Sequence, residues 1–339
     1  MTRVQVRDLA PADLEPASRL LAARFARALE SSPVPADTRA DTEACRAAID
    51  AHVSGKQVRG VVATRGSEPV GFVLAQRSTN APDSAQAYFS PAFSVASPLS
   101  AHAVAAHEDP LEIYRALYAR LAGELVTDGF LDHGIGVLAS EPAAHDAWVT
   151  LGFGRSYTLV LRGVDPLEAP TRSDLEIRQA TEKELPDVFA LLAEQRAFHA
   201  RAPMFLPNLR ILRDAQEGQA RWLLGQPRCP AFLAYRAGRA LGMQLFAPAG
   251  TFVSWPLRDD ATAYLFQGVV SERERGGGVG AALLQHALAW MRRENVRRCG
   301  LHYLSANPSG AIFWTRHGFR SAEHFLHRTV DARIAWSAR

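Results

Sequence analysis

The chain has 339 residues, 47% of them apolar and 22% charged, a composition that supports folded domains and, at this length, two rather than one. Its 38 basic and 35 acidic residues leave a formal net charge of +3, too even a balance for the basic stripe that nucleic-acid binding requires. Cys45, Cys229 and Cys299 stand far apart and are odd in number, which argues against a disulfide framework or a metal site and for a reducing cytoplasm; no signal segment and no membrane-spanning apolar run is read.

Residues 4–7 alternate as a strand and run, past Leu14, into an amphipathic helix carrying Leu20 and Leu21. Strands are expected near 58–64, 70–76 and 85–95, followed by a helix over 111–127. Trp148 to Phe153 closes a further helix at Gly152, a residue suited to a C-cap, and 157–161 follows as a strand. The same order then returns. Residues 175–178, Leu185 and Leu191-Leu192-Ala193 repeat the opening, and strands near 231–235, 241–246 and 263–270 with a helix over 279–295 repeat the middle. Trp314 to Phe319 and a strand over 324–330 repeat the close. A sequence written twice predicts two copies of one unit, here 1–165 and 175–339, joined by a linker at 166–174 holding Pro166, Pro170 and Ser173.

The second copy contains a loop that the first lacks. After the apolar strand ending at Val269-Val270 come four polar residues, then Arg275-Gly276-Gly277-Gly278-Val279-Gly280, then a helix whose Val279, Leu283, Leu284, Ala287, Leu288 and Met291 form an apolar face. Unpaired N–H groups at a helix start, together with the positive end of its dipole, bind phosphate oxygens, and glycine lets the backbone come close. A Walker A loop would end in Gly-Lys-Ser or Gly-Lys-Thr, and no lysine is present. A dinucleotide loop is formally met by Gly276, Gly278 and Ala281. It wants, however, a tighter strand-to-loop junction and an acid closing the next strand, and residues 300–304 run into Ser305-Ala306-Asn307 instead. A flexible surface turn is the plain alternative.

Arg275, Gly278 and Gly280 match the acyl-CoA signature of the GNAT superfamily of N-acetyltransferases. The segment from Leu301-His302 through Asn307, Phe313-Trp314 and Gly318-Phe319 resembles the downstream part of that pattern, in the right order and spacing. The resemblance covers about 150 residues, and the layout of the whole chain is similar to tandem, two-domain members. It implies an α/β (α+β) fold of two GNAT-like domains, each a splayed, mixed, mostly antiparallel sheet flanked by helices. It also implies acetyl-CoA as co-substrate. Val269, Val270 and Ser271 would contact the pantetheine arm, Arg275, Gly276, Gly277, Gly278, Val279, Gly280 and Ala281 would hold the pyrophosphate, and Asn307 and Phe313 would border the thiol. Asn307 also suits an N-cap.

Acyl transfer to an amine needs a proton acceptor for an ammonium whose pKa is near ~10.4. It also needs donors for a developing oxyanion and a proton for the leaving thiol. Many superfamily members carry a Tyr four residues before the Gly-Phe pair; here Trp314 stands there and cannot protonate a thiolate. Tyr303 and His199 are the candidates among the side chains, with core packing and a surface role as their plain alternatives, and a water relay would need neither. Phe205, Trp222, Trp255, Tyr264 and Phe266 are candidates for the acceptor pocket. In the first copy, residues 72–122 contain no glycine, and the position of the phosphate loop holds His107, Glu108 and Asp109. That copy is expected to keep the fold without the cofactor and to wall the acceptor site of the second. The acceptor expected is the primary amine of a small molecule, with no nucleic acid, membrane or metal involved and the chain a monomer or homodimer. A protein N-terminus or lysine as acceptor, and a non-catalytic acyl-CoA sensor, are the alternatives.

Overall fold

The computed structural model describes residues 3–30, 32, 40–55, 57–168 and 172–336. Its first half runs β1 (Val4–Asp8), α1 (Leu14–Leu29), α2 (Thr42–Val53), β2 (Val58–Arg65), β3 (Glu68–Thr79), β4 (Phe93–Ser97), β5 (His102–Val104), α3 (Pro110–Thr127), β6 (Asp132–Leu138), α4 (Pro142–Thr150) and β7 (Gly154–Gly163). The second half repeats it with β8 (Glu176–Gln179), α5 (Leu185–His199), α6 (Arg210–Leu224), β9 (Ala231–Arg236), β10 (Arg239–Pro248), a short α7 (Ala249–Phe252), β11 (Thr262–Val270), α8 (Val279–Arg293), β12 (Arg298–Leu304), α9 (Pro308–Arg316) and β13 (Arg320–Thr329).

Local chemistry accounts for these boundaries. Ala17, Leu21, Phe25 and Ala28 recur at helical spacing and form the buried face of α1. Asp41 caps α2 by accepting from the Ala44 amide at 2.9 Å. The β2–β3 hairpin turns through Gly66, whose φ of +61° a side chain would resist. One expected strand is corrected: residues 85–88 form a 3₁₀ turn capped by Ser84, and β4 begins only at Phe93. The tract holds Pro91 and four alanines or serines near it, with too little apolar alternation to sustain a ladder from residue 85. Helices α2 and α6 were not anticipated from the sequence. Pro170 of the linker lies outside the described residues.

All the strands join one mixed sheet, ordered β1-β2-β3-β4-β6-β13-β7-β12-β11-β10-β9-β8, with β5 on β3. The two halves exchange their last strands. β13 lies against β6 of the first half, with Phe325 opposite Gly136, while β7 lies against β12 of the second, with Leu161 opposite Gly300. β7 and β13 also pair with each other. Gly134 and Gly136 on β6 are thereby explained: the Phe325 ring and the Glu323 carboxyl of the incoming strand occupy the space their side chains would need. One apolar cluster spans both halves, joining Phe25, Leu161, Leu245 and Val253. Separate clusters sit under α3 and under α8.

Candidate functional site

In the second half the sheet opens. β11 stays paired to β10 as far as Val270 opposite Gly242, and β12 stays paired to β7 as far as Leu304 opposite Tyr157. β11 and β12 pair only from Thr262–Arg298 to Tyr264–Gly300. Beyond Tyr264 the two strands diverge, and a cavity of about 440 Å³ occupies the gap, a size typical of small-molecule sites.

At the far end of β11 the chain turns through Ser271 and the glycines into α8. Gly276 and Gly278 have φ of +78° and +81°, and Gly278 is the N-cap of α8. The first bond of the helix runs from the Ala282 amide to the Gly278 carbonyl at 3.0 Å, so the amides just before Ala282 lie at the helix start, where no intrahelical acceptor exists. Val279, Leu283, Leu284, Ala287, Leu288 and Met291 are all buried, as their spacing requires. The acids of the turn are neutralised: Glu272 is paired with Arg201, and Glu274 with Arg236 and Arg239. An anion at the α8 terminus would therefore meet a positive dipole and little opposing charge.

Arg275 folds back rather than reaching outward. Its Nε donates to the Val270 carbonyl at 3.2 Å, and its guanidinium lies 4.1 Å above the Phe198 ring. Arg172 from the linker donates to the Gly277 carbonyl and is held by Asp174. Gly280 needs its bare backbone for a reason the sequence did not reveal: the Phe313 ring of α9 stands 3.1 Å from where its β-carbon would be. Gly268, exposed on the free edge of β11, faces the Trp314 indole in the same way at 3.5 Å.

The structure brings Tyr303, Asn307 and His199 to one cavity, although His199 is about a hundred residues from the others in sequence. Tyr303 is half-buried on β12. Asn307 caps α9, its Oδ1 accepting from the Gly310 amide at 3.1 Å and the Ser309 hydroxyl at 2.8 Å. His199 ends α5 with Nδ1 3.3 Å from the Tyr88 hydroxyl. Burial, helped by nearby Arg275, pushes His199 down to about 4. Ser271 donates to Glu194 at 2.8 Å, Val269 is buried, and Val270 packs beside α8.

Of the residues expected at the acceptor pocket, Tyr264 and Phe266 line the cavity. Phe205 and Trp222 do not, being 72% and 57% exposed, and Trp255 instead packs edge-on against Phe25 at 5.6 Å. Periodicity cannot separate an aromatic that faces a cavity from one that faces solvent or core.

The far wall was missed residue by residue, although a wall from the first half was expected. It is built from Tyr88 and Phe89 of the 3₁₀ segment, Tyr157 of β7, and Phe325 and His327 of β13. His327 Nε2 stands 3.2 Å from Asp132 on β6, and the Tyr264 hydroxyl stands 2.9 Å from His302 Nδ1. These pairs join residues far apart in sequence, and only the strand exchange brings the first of them together.

In the matching region of the first half the strand gap is bridged by buried side chains, beside a smaller cavity of about 280 Å³ lined by Arg24, Glu108, Tyr114 and Glu141. Arg24, 2% exposed, forms two bonds to Glu141 at 2.8 and 2.5 Å and donates to the Leu99 and His102 carbonyls. His102 is bonded to the Gly136 carbonyl of β6 at 2.7 Å and to the Tyr114 hydroxyl at 2.8 Å, and burial followed by the Arg24 charge holds it far below its ordinary range. Glu108 is paired with Arg65, and Asp109 caps α3. Two carboxylates and ordinary Cβ atoms thus stand where the second half has glycines. No three-residue metal cluster and no helix long and apolar enough to cross a membrane occurs among the described residues.

Residues 194–319, which hold the gap, the glycine loop and α9, match the family model of the acetyltransferase (GNAT) family. No curated protein matches the chain in sequence. Among solved structures, a GCN5-related N-acetyltransferase from Sphaerobacter thermophilus is similar at 17% identity and a TM-score of 0.59, over 96% of this chain and 95% of that one. A tandem GNAT protein from the clavulanic acid biosynthesis pathway is similar at 16% identity and a TM-score of 0.54, over 96% and 98%. A glucosamine N-acetyltransferase region of a fungal multi-domain β-N-acetylglucosaminidase aligns at 15% identity and a TM-score of 0.56, and there the chain spans 38% of the longer protein. Residues 194–319 thus match a domain of the acetyltransferase (GNAT) family, set in a chain whose fold is similar along its length to that of solved GNAT structures, a tandem one among them.

Proposed function

We propose that the chain transfers the acetyl group of acetyl-CoA to the primary amine of a small molecule, by direct attack while both are bound. The observation that carries this is the placement of the left-handed glycine loop, at the end of the very strand whose divergence from β12 opens the cavity. The amides around Gly276 to Ala281 would hold the pyrophosphate, with Arg275 and Arg172 beside them. The free edge of β11 at Gly268 would take the pantetheine arm and polarise the acyl carbonyl. Asn307, Tyr303 and Trp314 would border the sulfur, and Phe313 would fix the pitch of α9 against α8. Acetyl-CoA supplies the activated acyl group; the protein holds it, excludes water and aims the amine. The bridged strand gap of the first half supports a single cofactor site per chain, with that half serving as the acceptor's wall.

Release of free thiol from acetyl-CoA across a library of small amines tests this reading, which requires that at least one amine accelerate release well above hydrolysis. Trp314 in place of Tyr favours a second reading, an acyl-CoA sensor, for which every amine would leave the rate at background while acetyl-CoA still bound.

A further inference from the structure

The walls of the cavity carry chemistry that limits what it can accept. None of its described lining residues is Asp, Glu, Lys or Arg. The polar groups that face it are neutral, among them Ser78, Asn80, Gln86, Ser94, Gln195 and Gln267. Its three histidines are held low by burial, His199 and His302 to about 4 and His327 below its ordinary value, so at neutral pH they are uncharged. The Asp132 carboxylate is engaged by His327 Nε2 and by the Thr329 hydroxyl, each at 3.2 Å.

The rest of the lining is aromatic and aliphatic, and its aromatic rings come from both halves. Tyr88 meets Phe89 edge-on at 4.9 Å, and Phe89 meets Tyr157 at 6.4 Å. From the second half, Phe252 is stacked on Tyr264 at 4.8 Å and lies 5.0 Å from Phe266. A carboxylate or phosphate buried here would meet no cation in the described lining, and a polyamine no anion. Burying either without a partner costs several kcal/mol, on the order of the binding energy available to so small a ligand. A flat, uncharged ring gains contact area and edge-to-face geometry from the same walls.

We infer that the acceptor is a neutral aromatic amine, its nitrogen borne on the ring and unprotonated at pH 7, carrying amide or hydroxyl substituents and no carboxylate, phosphate or second ammonium. The inference rests on the acetyl-transfer reading and specifies its substrate. It also removes the first proton problem, since such a nitrogen arrives with its lone pair free and needs no base to unmask it. In the transfer the nitrogen bonds to the acetyl carbonyl carbon, the carbon–sulfur bond breaks, and the proton shed by nitrogen ends on the departing sulfur. No further reactant is required. The competing chemistry is an alkylammonium held over the ring faces.

The test uses the full chain, acetyl-CoA and four amines: 4-aminobenzamide, 4-aminobenzoate, 2-phenylethylamine and spermidine. Thiol release should show kcat/KM for 4-aminobenzamide at least about tenfold above each of the other three. A rate for the carboxylate, the arylalkylamine or the polyamine that equals or exceeds it overturns the inference. Should no amine release thiol, ligand-detected NMR with coenzyme A present makes the same comparison by binding, and binding of 4-aminobenzamide no tighter than the others overturns it equally. Failure of acetyl-CoA to bind at all would instead overturn the transferase reading. As a reciprocal check, Ser90→Arg places a cation in the wall and should shift the preference toward 4-aminobenzoate by about tenfold; an unchanged ratio removes the acceptor from this cavity.

Discussion

The Trp314 indole rests 3.5 Å from the point where a β-carbon on Gly268 would stand, so the notch between β11 and α9 is as wide as one absent side chain allows. An Ala there fits at ordinary contact distance, whereas a larger residue must displace the indole or block the notch. Gly268→Ala should keep most of the thiol-release activity. Gly268→Leu should lose about a hundredfold, the scale of a misplacement near 1 Å at reacting atoms, while 3′,5′-ADP binding measured calorimetrically stays unchanged. Equal activity in the two variants would mean that the acyl arm runs elsewhere.

Gly278 opens α8 with a φ of +81°, a conformation that costs an L-residue about 1–2 kcal/mol. Gly278→Val should weaken acetyl-CoA binding at least about tenfold by turning the α8 amides away from the phosphates and crowding them. Far-UV circular dichroism should be unchanged, because Val279 through Met291 still bury the same face. Undiminished affinity in titration calorimetry would place the diphosphate away from this loop.

Arg24 and Glu141 form a buried pair in the first half, at 2.5 and 2.8 Å. Removing one partner strands the other, and Arg24→Ala should destabilise by about 3–5 kcal/mol, read from urea unfolding. Arg24→Met with Glu141→Leu should recover most of that. In the wild type, calorimetry should give one acetyl-CoA per chain; two equal sites would contradict the bridged gap of the first half.

Burial holds His199, His302 and His324 at about 4, whereas in the unfolded chain they return to 6.5. Between those values the unfolded state binds more protons at these positions. Stability therefore falls as pH falls from 6.5 toward 4, by up to about 1.4 kcal/mol per pH unit for each histidine. Glu323 acts in the opposite sense: burial raises it to about 7, so its contribution is present at low pH and fades as pH rises from 4.5 to 7. With three groups against one, Tm should drop between pH 7 and pH 5, and Glu323→Gln should steepen the drop. A flat Tm across this window would refute the assignment.

The parts of the molecule legible in sequence were those that local periodicity and glycine chemistry dictate. The apolar face of α8, the loop before it and the Asn307 cap follow from neighbours within a few residues, and the doubled layout follows from self-comparison. What was illegible depended on long-range pairing. Nothing local marks Leu161 as the partner of Gly300, or Phe325 as the reason for Gly134, and so the Asp132–His327 contact had no sequence signal. Trp222 and Phe205 failed as pocket residues because an aromatic side chain carries no label for the surface it faces. The gap between residues 72 and 122 in the distribution of glycine was a usable signal, and the Arg24–His102 bridge gives it a physical basis in the first half.

The trading of final strands changes what inheritance of this gene can discard. Had each copy closed its own sheet, the one without glycines would be free to erode or drop out. Interlocked as they are, excision of either copy strips a ladder neighbour from the survivor, and excision of the first also takes Tyr88, Phe89 and Tyr157 from the aromatic lining where the acceptor would sit. The two copies are mutually dependent, each closing its sheet with the other's last strand.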